Sequence, residues 1–379
     1  MSILQTTQLN IPEGMIDFGV GQPSLSLLPL AALKQAADHR LSQTDASILQ
    51  YGAEQGDGYF RLALAQFLSQ KYNSPVEAEQ LLITGGASQS LDLICTRLTQ
   101  PGDTIFVEEP TYFLALFIFR DYRLNIVGIP MDENGLSIEA LEEQLARHKP
   151  VFLYTIPTFH NPSAATLSVE RRQQLLQLSQ EHDFLIVADE VYQMLDYRVT
   201  PPPPLAAAIN WAPVISLGSF SKILAPGLRL GWIQAAPSRL DPLVHAGLLE
   251  SGGGLNPFTS GIVQSMLELG LQEQCLTHLK QVYTERSAAL SQALRQHLPG
   301  AITFAEPGGG FFIWIRLPEG WQAQEILAEA RRNNVSFQPG VKFSSRQGLP
   351  NYLRLSFAYY ETEQLVKGVT RLGKVMGNW

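Results

Sequence analysis

Two cysteines in 379 residues, Cys95 and Cys275, are too few for a disulfide framework or a zinc ribbon and fit a chain kept in a reducing compartment. An excess of positive charge is missing too. The formal charge of -8 and a pI near 5.4 argue against a nucleic-acid or anionic-membrane surface, because phosphate backbones are held by clustered Lys and Arg. A small anion, by contrast, needs only one or two placed cations. Long apolar runs are also absent: the most intense, FLALFIF at 113–119, is far below the ~20 residues of a spanning helix. The start, MSILQTTQLNIPEG, has no basic stretch followed by a long apolar one, so no signal peptide is expected. These absences point to a cytoplasmic protein with no membrane or nucleic-acid partner. The PPPP tract at 201–204 is the stiffest connector; there is no internal repeat and no low-complexity segment.

The chain does have apolar material to bury, at 45 % hydrophobic residues and a mean hydropathy of zero, and a length that predicts two lobes. Short apolar runs at 81–84, 104–108, 151–155, 184–188 and 214–218 alternate with helix-period segments at 88–98, from Tyr112, and near 168–181. That alternation predicts an α/β fold with a mainly parallel sheet covered by helices on both faces. From about Met266 the texture changes to a long helix pattern reaching about His297, FFIWIRL at 311–317, a helix at 322–333 and YLRLSF at 352–357. This predicts a smaller α+β lobe.

In open α/β sheets, ligands sit beyond the carboxyl ends of the strands. After LLIT comes GGASQSLDL at 85–93, where two glycines turn the backbone and Ala87, Ser88 and Gln89 open a helix. Free N–H groups there suit a phosphate, or the stretch is simply a helix cap. It matches neither GxGxxG nor a Walker loop. After FLIVA comes Asp189, either a helix N-cap or a carboxylate buried against a cation such as a protonated ring nitrogen. After VFLYT comes IPTFHNPSA, a rigid turn holding Asn161. In SFSKILAPGLRLGW at 219–232, Ser219 and Ser221 offer hydroxyls, Arg229 a fixed cation and Lys222 an amine. A lysine flanked by Phe220, Ile223 and Leu224 and near another cation has its pKa lowered and becomes a nucleophile and base. An anion cradle, a buried carboxylate and an activated amine are what pyridoxal 5'-phosphate (PLP) requires for its phosphate, ring nitrogen and aldehyde.

In that light, the chain resembles the fold-type I PLP-dependent aminotransferases of class I/II, and most of all their 2-aminoadipate and aromatic aminotransferase group. The resemblance is carried, in order, by GQP at 21–23, YGAEQGDGYFRLALAQFL at 51–68, GGASQSLDL, EEPTYF at 108–113, PTFHNP at 157–162, ADEVY at 188–192, SFSKILAPGLRLGW and NYLRLSF at 351–357. It implies a large PLP-binding domain over 45–265 with a mainly parallel seven-stranded sheet, and a smaller α+β domain from 1–44 and 266–379. It implies that Lys222 forms the internal aldimine and shuttles a proton on the way to pyridoxamine phosphate, and that Asp189 keeps the ring nitrogen protonated. By the same resemblance Asn161 and Tyr192 bond the ring's phenolic oxygen, and Tyr112 stacks on the ring. Gly86, Ala87, Ser88, Ser219, Ser221 and Arg229 hold the phosphate. Arg354, helped by the backbone near Gly21, binds the substrate α-carboxylate, with Asn161 also on the substrate side. Tyr51 reaches the phosphate of the neighbouring subunit, which implies a homodimer with shared active sites.

The sequence departs from that group at Ala164, where Gly is common, and at His160, where Gln is frequent; His160 beside the cofactor turn is either a substrate contact or, the expectation here, a hydrogen-bonded turn histidine. QPSLSLLP after Gly21 lacks a cation for a distal substrate carboxylate. Phe18, Tyr112, Phe113, Phe159 and Tyr359 suit an aromatic or long apolar amino acid, though most would serve equally in a core. The expected reaction moves the amino group of an L-amino acid to a 2-oxo acid such as 2-oxoglutarate. On the same scaffold a β-eliminating C–S lyase or an oxidase is the rival. An effector-sensing aminotransferase-like domain would need a further ~60–100 residues before GQP. Ser219 to Lys222 also reads S-x-x-K, but the K-T-G strand of penicillin-recognising hydrolases does not occur.

Overall fold

The strand Leu81–Thr84 is wholly buried, as are Phe152–Thr155 and Val214–Ser219, which is why their sequences show apolar runs instead of alternation. The structure, a computed structural model, describes residues 6–377 and 379; residues 1–5, on which part of the signal-peptide reading falls, lie outside the described residues. The main sheet has the order 81–84, 231–235, 214–219, 185–189, 152–155, 104–109, 125–132, with the two-residue strand Gly135–Leu136 as an eighth at the edge. Pairs among 214–219, 185–189, 152–155, 104–109 and 125–132 are parallel. Strand Gly231–Ala235 runs antiparallel to both its neighbours. Register brings Thr155, Asp189 and Ser219 to the carboxyl edge together with Glu109.

Local chemistry sets the helix ends. The Asp57 carboxylate accepts from the Phe60 N–H at 2.8 Å to start Gly58–Tyr72, and Asn73 ends it in the left-handed region (φ 49°). Ser168 caps Val169–Glu181. The single helix expected up to His297 is two, Pro257–Glu268 and Leu271–His297, broken at Gly270 with φ 68°. The apolar period carries through the break, so it does not show in the pattern.

A second, four-stranded antiparallel sheet orders 303–304, 312–316, 352–356 and 338–339. The strand Ile16–Asp17 pairs in parallel with Val335–Ser336, while helix Leu30–Leu41 packs on Pro257–Glu268. FLALFIF forms most of helix Phe113–Asp121, and among the described residues no helix is long and apolar enough to cross a membrane.

Candidate active site

Lys222 sits in the single-turn helix Phe220–Ile223, which follows strand Val214–Ser219 directly and is capped by Ser219 Oγ accepting from the Ser221 N–H at 3.1 Å. Its Nζ donates to the Gly21 carbonyl at 2.9 Å and lies 5.7 Å from the centre of the Phe311 ring. The side chain keeps some exposed surface, yet its ammonium end is densely surrounded by protein. Burial lowers its pKa to about 8, with Arg354 and Arg229 adding to the effect and Asp189 opposing it.

Asp189 ends its strand at 5 % exposure. A turn follows, not a helix, so the N-cap alternative does not apply. Its Oδ2 accepts from the Tyr154 hydroxyl at 2.7 Å, while Oδ1 is buried without a hydrogen-bond partner among the described residues. The Val191 N–H favours the charged form but does not reach hydrogen-bond geometry. Burial pushes the carboxyl up to about 6. A buried carboxylate oxygen with nothing to bond is costly, and a protonated ring nitrogen is the kind of partner that would relieve it.

The stretch expected to receive a phosphate lies at a helix start. Gly86 has φ 103° and stands at the N-cap of Ala87–Leu98 with no side-chain cap, which leaves first-turn N–H groups free. A Cβ on Gly86 would meet Arg229 Nη2 at 3.0 Å, and that nitrogen donates to the Gly85 carbonyl at 2.8 Å. Arg229 itself is left-handed (φ 48°), its carbonyl held by Asn256 Nδ2. Ser88 is exposed at the helix start, and Ser219 is buried.

Arg354 lies on an inner strand of the small sheet at 3 % exposure, not on an exposed edge. Its Nη1 donates to Asn161 Oδ1 at 2.9 Å and its Nη2 to the Gly19 carbonyl at 2.8 Å; Nε is buried and has no partner among the described residues. The guanidinium rests 4.1 Å from the Phe312 ring and 5.1 Å from Phe343. Burial lowers its pKa to about 10. Burial raises the Tyr112 hydroxyl to about 12 and the Tyr192 hydroxyl well above its ordinary value.

The structure thus brings Lys222, Asp189, Tyr112, Asn161, Tyr192, Arg354 and Gly21 together, with Gly86, Ala87, Ser219, Ser221 and Arg229 at one end. Tyr51 stands apart at 89 % exposure. Two of the aromatic residues expected at a substrate pocket belong to the core instead: Phe18 is fully buried against Tyr360, and Phe159 packs on Gly309 and Gly310. His160 is a buried turn histidine, with Nδ1 2.9 Å from Ser163 Oγ. Its Nε2 lies 3.1 Å from Glu108 Oε2, off the hydrogen-bond direction. Tyr154, Phe311, Phe312 and Phe343 are site residues that their apolar strand and loop contexts conceal.

Residues 13–372 match the family profile described as aminotransferase class I and II. The chain belongs to that family. It is 35 % identical to aromatic-amino-acid aminotransferase 1 of Thermococcus litoralis over 96 % of this chain and 88 % of the relative. It is 33 % identical to the 2-aminoadipate transaminase of Thermus thermophilus over 99 % and 93 %. Among solved structures it resembles the α-aminoadipate aminotransferase LysN of Thermus thermophilus complexed with N-(5'-phosphopyridoxyl)-L-leucine, with a TM-score of 0.89 and 32 % identity over 97 % of this chain and 93 % of that one. The fold is therefore that of fold-type I aminotransferases, and the protein is an aminotransferase.

Proposed function

We propose that this aminotransferase is PLP-dependent and moves the amino group of an aromatic, long apolar or 2-aminoadipate-like L-amino acid to a 2-oxo acid such as 2-oxoglutarate. The observation that carries the reading is Lys222, a buried amine with its pKa lowered to about 8, sharing one cleft with the unpartnered Asp189 Oδ1 and the part-free Arg354 fork. When bound, PLP supplies an aldehyde that condenses with amines and a ring that takes up electrons as the substrate Cα–H bond breaks.

Lys222 Nζ holds the cofactor and then carries the proton from the substrate Cα. Asp189 Oδ1 accepts from the ring nitrogen and keeps it protonated. Gly86, Ala87, Ser88, Ser219, Ser221 and Arg229 receive the phosphate, Asn161 and Tyr192 the phenolic oxygen, and Tyr112 covers the ring. Arg354 takes the substrate α-carboxylate, next to Gly21. With the chain divided into 45–265 and the remainder, the first part holds the cofactor and the second brings Arg354. Tyr51 serves the site of a second copy in a homodimer, and the free thiols Cys95 and Cys275 fit the cytoplasm.

The test is a half-reaction: L-phenylalanine and L-2-aminoadipate are added in turn to the purified holoenzyme, and the cofactor's absorption is followed to its amine form. Ammonia and pyruvate released from cysteine, without that spectral change, would replace transamination by β-elimination.

A further inference from the structure

Glu109 ends strand Thr104–Glu109 at 5 % exposure. Its carboxylate gathers donors from one turn of the chain, 235 and 236 residues further on. Ser344 Oγ donates to Oε1; the Ser345 N–H (2.8 Å) and Ser345 Oγ (2.6 Å) donate to Oε2. Just beyond, the Thr111 N–H donates to the Phe343 carbonyl at 2.9 Å. Ser344 Oγ also accepts from the Arg346 N–H at 3.2 Å and the Gly348 N–H at 2.7 Å, so the turn closes around the hydroxyl that Glu109 fixes. The nearest cation, Arg346, is 68 % exposed and 3.9 Å away. Hydrogen bonds to the turn, not an ion pair, therefore compensate this buried carboxylate.

The turn carries Phe343, which is fully buried with its ring 5.1 Å from the Arg354 guanidinium and 5.2 Å from the Phe113 ring. We propose that Glu109 is a positioning residue for substrate: by clamping Ser344 and Ser345 it holds Phe343 against Arg354 and fixes where the guanidinium fork meets a carboxylate. This rests on the reading of Arg354 as the carboxylate receiver. The hydrogen bonds of Lys222, Asp189 and Arg229 go elsewhere, so the hold of these three residues on the cofactor does not run through the clamp.

The experiment titrates the holoenzyme with 3-phenylpropionate, a non-reacting monocarboxylate, for Glu109→Gln, Ser345→Ala and Arg354→Lys, and measures KM, kcat and PLP affinity alongside. Glu109→Gln should weaken 3-phenylpropionate about fivefold or more and raise the amino acid KM in parallel, with kcat and PLP affinity within about twofold. Ser345→Ala, which keeps the backbone bond, should shift the same two quantities by about twofold. Unchanged carboxylate binding in both clamp variants, or an equal loss of PLP affinity, overturns the proposal. If Arg354→Lys also leaves 3-phenylpropionate binding unchanged, the substrate reading itself fails; if only that variant weakens it, the clamp alone is wrong.

Discussion

The Tyr154 hydroxyl donates to Asp189 Oδ2 at 2.7 Å and leaves Oδ1 buried with no partner among the described residues, so one oxygen of the carboxylate is anchored and the other is free for a ligand. The anchoring bond lowers the Asp189 pKa against the desolvation that raises it. Tyr154→Phe should therefore raise that pKa further and cut kcat about tenfold. Asp189→Asn, which cannot stabilise a ring-nitrogen proton by charge, should cut it about a hundredfold or more. Steady-state kinetics on both variants check the order.

A lysine in water is half neutral near pH 10.4, whereas Lys222 reaches that point at about pH 8. A lowered pKa enlarges the neutral, nucleophilic fraction at neutral pH. In the cofactor-free protein the rate of PLP attachment should rise about tenfold per pH unit below pH 8 and level off above it. Borohydride reduction with peptide mapping should place the label on Lys222. Lys222→Ala should bind PLP without covalent attachment and lose turnover.

Arg354 has two of its nitrogens committed to Asn161 and Gly19, and Lys cannot reproduce the planar fork. Arg354→Lys should raise the amino acid KM about tenfold to a hundredfold while the absorption of bound cofactor stays as in the parent. A KM series over several amino acids measures this.

Gly218 faces Trp232 across the strand pair, and a Cβ there would stand 2.0 Å from the indole ring. Trp232 is buried and packed on Phe220, 5.3 Å away, so it has no room to yield. Gly218→Ala should destabilise the protein by about 3 kcal/mol or more, read as a lower denaturation midpoint. Because Phe220 leads into Lys222, the labelling yield at Lys222 should fall with it.

Most of the scaffold is legible in the sequence because its signals are local. Apolar runs bounded by turn residues give the strands, and Asp189, Lys222 and Arg354 stand out as charges where an apolar element would bury them. Other site residues carry no such mark. Tyr154 reads as one more buried strand residue, since a strand covered on both faces has no alternation to break. Phe312 and Phe343 are indistinguishable from core in the sequence, and only the fold brings them beside Arg354. Glu109 reads as part of a motif, while its partners Ser344 and Ser345 lie in an unpatterned loop, and only the tertiary structure joins them.

Gly21 and Gly19 offer their carbonyls to Lys222 and Arg354, partners that follow 201 and 335 residues later. During synthesis, which proceeds from the amino end, the first-made part of this cleft must therefore wait for almost the last. A nascent or clipped product can already have formed the strands around Asp189 while it still lacks the arginine that would hold a substrate. Full competence is a property of the completed chain.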